Sequence, residues 1–268
     1  MYKIILLSVL IMFATTKIYS QEETGDTPPA DSEQKEDVKV PYSPLSVYKW
    51  NYLIFGNSDD QVKAQLSLKY EFIRESGIFL GYSQSMFWML YEKSSPFSEI
   101  NFNPEVFWNY GDKIDFLQLG FYEHKSNGKD GLSSRAWDRS YAQFQTSTGR
   151  SFNAGIDIKV FYYLRKAEEN RDIDDYTGYY EAKIFFRFMK PGPDSITFNE
   201  ELYFRGGTGK GNYGFDCKKG WIEAGVKLRV PIQSIQPHFF IQGFYGYGES
   251  MVVYNKKDFA VRAGFVIK

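Results

Sequence analysis

The chain has 268 residues and a formal net charge of −1, which leaves no electrostatic case for nucleic acid as a partner. Aromatic residues make up 19%, with 21 Tyr and 24 Phe, yet mean hydropathy is only −0.42. No apolar run of about eighteen residues occurs beyond the N-terminus, so a helical membrane protein is excluded.

In chain order, residues 1–20 predict a signal peptide. Lys3 supplies the positive start, and Ile4 to Ala14 form an apolar core too short to span a bilayer. Cleavage is expected after Ser20, which makes the protein an exported one. Residues 21–44 predict a disordered acidic leader carrying Glu22, Glu23, Asp26, Asp31, Glu33, Glu36 and Asp37. Residues 45–268 form one domain. Here period-2 alternation dominates, as in Val62, Ala64, Leu66 and Leu68 against Lys63, Gln65, Ser67 and Lys69.

The fold class predicted is all-β: a transmembrane antiparallel β-barrel of about twelve strands. The strands are 47–55, 61–72, 77–90, 100–110, 113–123, 136–148, 150–164, 177–190, 195–206, 219–231, 236–247 and 258–267. Many are longer than the roughly five or six residues usual in soluble domains. Short turns at Arg74–Ser76, Gly111–Asp112, Gly149–Arg150, Pro191–Asp194 and Ile232–Ile235 alternate with polar loops at 91–99, 124–135, 165–176, 207–218 and 248–257. Short periplasmic turns and long external loops mark an outer-membrane barrel with both termini in the periplasm.

The chemistry-bearing stretch is His124-Lys125-Ser126-Asn127-Gly128. The chain has only 2 His. Positions i and i+2 of a strand share a face, so a histidine base and a serine hydroxyl would sit side by side. Asp138, a short loop away, returns on the neighbouring strand to orient the imidazole. That is the nucleophile–base–orienter logic of acyl hydrolysis. The same Ser, Asn, Gly and Asp residues also serve ordinary polar turns. Strict alternation places Phe116, Gln118, Gly120 and Tyr122 on the face of His124 without deciding whether that face meets lipid or lumen. Ala136, Asp138, Ala142 and Phe144 favour a lipid-facing Asp138. The glycine-rich 206–211 stretch lacks the Gly-Lys-Ser/Thr ending of a phosphate loop and reads as a flexible outer loop. His238 reads as structural, and Cys217, the one cysteine, has no disulfide partner within the chain.

These residues resemble the outer membrane phospholipase A family. The match rests on His-x-Ser-Asn-Gly with Ser134-Arg135-Ala136-Trp137-Asp138-Arg139. It extends through Asn51–Ile54, Gln65–Leu68, Ser94–Phe97, Asn101–Glu105, Gly178–Tyr180, Gly246–Ser250 and Tyr254-Asn255. The resemblance implies calcium-dependent hydrolysis of phospholipid and lysophospholipid acyl esters, at sn-1 or sn-2, by a homodimer. It makes Ser126 the nucleophile, His124 the base and the Gly128 amide an oxyanion donor. The Lys129 carbonyl, the Ser134 hydroxyl and Ser94 of the second subunit become calcium ligands, and Gln84 a residue of the dimer interface. Asp138 falls where the family commonly has an asparagine. Two other readings stand beside this one. A passive channel would be lined by charges such as Lys63, Glu181, Lys183, Arg187, Glu223 and Lys227. A structural barrel would keep the motif without activity.

Overall fold

The computed structural model describes residues 43–57, 61–111, 116–148, 152–188, 201–212, 214–230 and 237–267. The expected signal peptide, nearly all of the leader, Asp112 and the turns at 149–150, 191–194 and 232–235 lie outside the described residues. The strands are β1 (Leu45–Val47), β2 (Asn51–Gly56), β3 (Val62–Glu71), β4 (Ile78–Trp88), β5 (Phe97–Gly111), β6 (Phe116–Ser126), β7 (Ala136–Thr148), β8 (Phe152–Lys166), β9 (Tyr180–Phe188), β10 (Glu201–Gly209), β11 (Asp216–Arg229), β12 (His238–Gly246) and β13 (Asp258–Ile267). From β2 onward each pairs antiparallel with the next, and β13 pairs with β2, so the sheet closes. β1 and β2 both lie on one edge of β3, giving a twelve-stave barrel.

The expected strand 47–55 is therefore broken in the middle. Tyr48 and Lys49 leave the ladder because both reach Glu105: the Tyr48 hydroxyl at 3.2 Å and Lys49 Nζ at 2.7 Å. The Ser67 hydroxyl accepts the Lys49 amide at 3.1 Å in place of a ladder carbonyl.

The wall is apolar outside and polar inside. Along β8, Ile156, Ile158, Val160, Tyr162 and Leu164 are exposed, while Lys159, Phe161 and Tyr163 are buried inward. Such a row belongs against hydrocarbon, where a closed barrel also satisfies every backbone group. Several lumenal carboxylates are matched by cations. Glu123 accepts Arg139 at 2.7 Å and Lys159 at 3.2 Å. Glu223 accepts Arg205, and Glu249 accepts Lys63 and Arg262. The loop at 247–257 folds over the mouth: Ser250 donates to Glu99, and the Met251 amide reaches the same carboxylate at 2.8 Å. The lumenal charges thus form a plug across the described residues.

Several strands run further toward the outer end than expected. β6 reaches Ser126 because Ser126 still pairs with Ala136 on β7. β8 reaches Lys166, and β10 takes in residues 206–209, so most of the glycine-rich stretch is strand. A side chain at Gly209 would lie 2.2 Å from the Asp175 carbonyl, which explains a glycine there by close packing against the outer loop. One short helix, α1 (Asp174–Thr177), lies in that loop.

Candidate active site

Two cross-strand rows build the site at the outer end of β5 to β8. The first aligns His124 with Asp138, and Asp138 with Arg165. The second aligns Gln84, Phe102, Ser126 and Ala136 across four strands. Directly opposed residues share a face. Tyr122 and Phe102 are exposed, whereas Glu123 is buried, so both rows lie on the outside of the wall.

Simple alternation fails along β6. Gln118 is buried in the lumen, and a register shift between Gly120 and Glu123 then moves the odd-numbered residues inward. Phe116, Gln118 and Gly120 therefore do not share the face of His124. A bulge adds one residue to one strand, and every side chain beyond it changes side.

His124 Nδ1 lies 2.5 Å from Asp138 Oδ1. The same oxygen accepts the Tyr122 hydroxyl at 3.0 Å, and Oδ2 accepts Arg165 Nε at 2.6 Å. The Asp138 side chain is 7% exposed and that of His124 24%, so the carboxylate is covered while the imidazole keeps an open edge. From β5, the Asn103 amide donates to the His124 carbonyl at 2.6 Å. Ser126 is two residues along the same strand. Among the described residues its hydroxyl makes no hydrogen bond, and the structure joins only His124 and Asp138 directly.

Asn127 organises the loop beyond Ser126. Its Nδ2 donates to the Ser133 carbonyl at 2.8 Å, and its Oδ1 accepts the amides of Arg135 at 3.0 Å and Lys129 at 3.3 Å. Gly128 has φ +63, and a side chain there would meet the Phe102 ring at 2.9 Å. The Lys129 carbonyl and the Ser134 hydroxyl accept no hydrogen bond among the described residues, and both flank the short helical turn Gly131–Ser133. Two free hard oxygens on a braced loop suit a calcium ion, which takes oxygen ligands. Among the described residues no cluster of three or more His, Cys, Asp or Glu could hold a metal. Ser94 lies on another loop, exposed, with φ 70. Gln84 sits on the outer face of β4 and accepts the Tyr82 hydroxyl at 3.1 Å.

The start of β7 is pinned from the loop after β8. Asn170, fully buried, accepts the Ala136 amide at 3.1 Å and donates to its carbonyl at 3.2 Å. In the same loop Asp174 accepts Lys166, Tyr179 at 2.8 Å and Lys210 at 3.2 Å. Burial raises the Asp174 carboxyl, but these donors outweigh it and hold the group below its ordinary value.

Sequence reasoning missed Arg165, Tyr122, Asn127 and Asn170. The Asn-Gly pair was a turn signal for Asn127. Arg165 has no local signal, because only the β7–β8 register brings it to Asp138. A cavity of about 160 Å³ lies on the lumenal side, lined by Lys125, Trp137, Arg139, Tyr163, Glu181 and Trp221 among others. It is separated from His124 and Asp138 by the wall, so a ligand approaching from lipid would not enter it.

A family model described as phospholipase A1 matches residues 17–267. Phospholipase A1 of Escherichia coli (strain K12) is 28% identical over 259 residues, covering 84% of this chain and 82% of the relative. The solved outer membrane phospholipase dimer of Salmonella typhi, with bound calcium, is 27% identical with a TM-score of 0.67 over 85% of this chain and 93% of its own. A solved active-site mutant of Escherichia coli outer membrane phospholipase A, with asparagine replaced by alanine, is 26% identical with a TM-score of 0.65 over 88% and 94%.

Proposed function

Because the chain belongs to the phospholipase A1 family and forms an outer-membrane barrel, we propose that it is a calcium-dependent serine phospholipase active as a dimer. The observation that carries this reading is the His124–Asp138 contact on the outer face of the wall, two residues from Ser126. A phospholipid beside the barrel would present its ester at that height without leaving the membrane.

In the proposed reaction Asp138 accepts the Nδ1 proton of His124 in a hydrogen bond and fixes the tautomer with a bare Nε2. His124 Nε2 takes the Ser126 proton as Oγ forms a bond to the acyl carbonyl carbon. The carbonyl π electrons move to oxygen, and the Gly128 amide donates to that oxyanion. Collapse expels the glycerol oxygen, which takes the proton from His124, and leaves an acyl-enzyme. Water, deprotonated by His124, then releases the fatty acid and restores Ser126. When bound by the Lys129 carbonyl, Ser134 and the partner's Ser94, calcium would supply electrostatic stabilisation of negative charge. The row Gln84–Phe102–Ser126 places the proposed interface residue two strands from the nucleophile, about 10 Å away. That proximity supports a second subunit completing the ion site.

Fatty-acid release from phospholipid in mixed micelles tests the proposal. Release is expected with calcium, and its loss with chelator. Ser126→Ala is expected to lose on the order of a thousandfold or more. Full activity in that variant, or no release by folded dimeric wild type, rejects the reading.

A further inference from the structure

We propose that Arg165 is a positioning residue that neutralises Asp138, so that the Asp138–Arg165 pair stands to His124 as an uncharged amide would. This rests on the catalytic reading of His124. Arg165 Nε holds Asp138 Oδ2 at 2.6 Å, which leaves Oδ1 for His124 at 2.5 Å and for the Tyr122 hydroxyl at 3.0 Å. Both carboxylate oxygens are thus committed, and the plane of the acceptor is fixed.

The chemical need is specific to an aspartate here. A general base must be unprotonated at rest. An uncompensated carboxylate 2.5 Å from the imidazole favours imidazolium, which cannot take the serine proton. It would also leave a net charge on the lipid-facing wall. A guanidinium on the far oxygen removes both problems.

The surroundings leave Arg165 as the cation for this task. On the outer face His124 meets Tyr122 of its own strand, Asp138 of β7 and, through Asp138, Arg165 of β8. Its β5 neighbours Phe102, Asn103 and Pro104 do not titrate. Glu123, Lys125, Arg139 and Lys159 lie on the lumenal side, where Glu123 is matched by Arg139 and Lys159. Arg135, beside the loop, donates instead to the carbonyls of Leu132 and Ser134. The Arg165 side chain is 65% exposed on the outside of the wall, so the pair is held from one side only and not enclosed by protein.

The test is a four-protein cycle in micelles: wild type, Arg165→Gln, Asp138→Asn and the double variant, each as the full chain. Imidazole NMR reads His124 without needing substrate, and buried His238 serves as the internal control. Arg165→Gln is expected to move the His124 titration midpoint up by about one pH unit. In the Asp138→Asn background the same change should move it by less than about 0.3 unit. The acidic limb of kcat/KM should follow, kcat at neutral pH should fall by up to about tenfold with KM little changed, and the double variant should regain most of that loss. An unmoved midpoint, or equal movement in both backgrounds, overturns the proposal. A midpoint that moves as expected in a protein that hydrolyses no phospholipid upholds the coupling and rejects the catalytic reading instead.

Discussion

Gly128 carries two constraints at one residue. Its φ of +63 belongs to the left-handed region, and the Phe102 ring stands 2.9 Å from where a side chain would begin. Gly128→Ala therefore strains the backbone and pushes the loop off Phe102, turning the amide away from the proposed oxyanion position. Turnover is expected to fall on the order of a hundredfold with KM little changed; micelle kinetics with a melting curve would show it. Near-normal kcat would remove Gly128 from the oxyanion role. At this scale the motif was legible because its geometry is local: a strand brings residues 124 and 126 to one face, and a short connection returns Asp138 opposite. The facing direction was not legible, since it depends on a bulge beyond Gly120 that no residue type announces. Arg165 was hidden for a similar reason. Its partner stands 27 positions away in sequence, and only the pairing of two whole strands defines the contact.

The loop between β8 and α1 braces the start of β7 and the outer ends of β8 and β10. Asn170 grips both polar groups of Ala136, two residues before Asp138. Asp174 ties Lys166 at the end of β8 to Lys210 beyond β10. Its carboxyl is held below the ordinary value in the folded protein, so the unfolded chain binds the proton more readily. The stabilisation is therefore complete above the unfolded carboxylate value and is lost as pH falls through the lowered folded one. Asp174→Asn should cost about 1 kcal/mol at neutral pH, or about 3 °C in melting temperature, and nothing in strong acid. A difference that persists in acid would point to packing rather than charge. The strands themselves were legible from alternation, but their outer ends were not. At the outer ends of β6 and β8, Glu123–Ser126 and Arg165-Lys166 are polar on both faces, so composition there does not separate ladder from loop.

The whole molecule inverts the soluble plan, with carboxylate–cation networks inside and aliphatic rows outside. Twelve staves enclose too little space for a wide channel, and the described lumen is filled by side chains. The network divides into regions with different consequences. Glu201 on β10 collects Lys183 at 2.6 Å, Arg187 at 3.1 Å and Lys227 at 3.2 Å, four strands away from β6. Glu123 collects Arg139 and Lys159 directly behind His124, and shares Asn103 with it. Removing either carboxylate strands buried cations, at a cost of about 3–5 kcal/mol. Glu201→Ala should therefore lower the urea midpoint in micelles while kcat stays within about twofold. Glu123→Ala should lower both, because the strand that presents His124 loses its inner anchor. Equal loss of activity in the two variants would mean that the site senses the stability of the barrel as a whole. A loss confined to Glu123→Ala would mean that the wall behind His124 is a local mechanical support, independent of the rest of the plug.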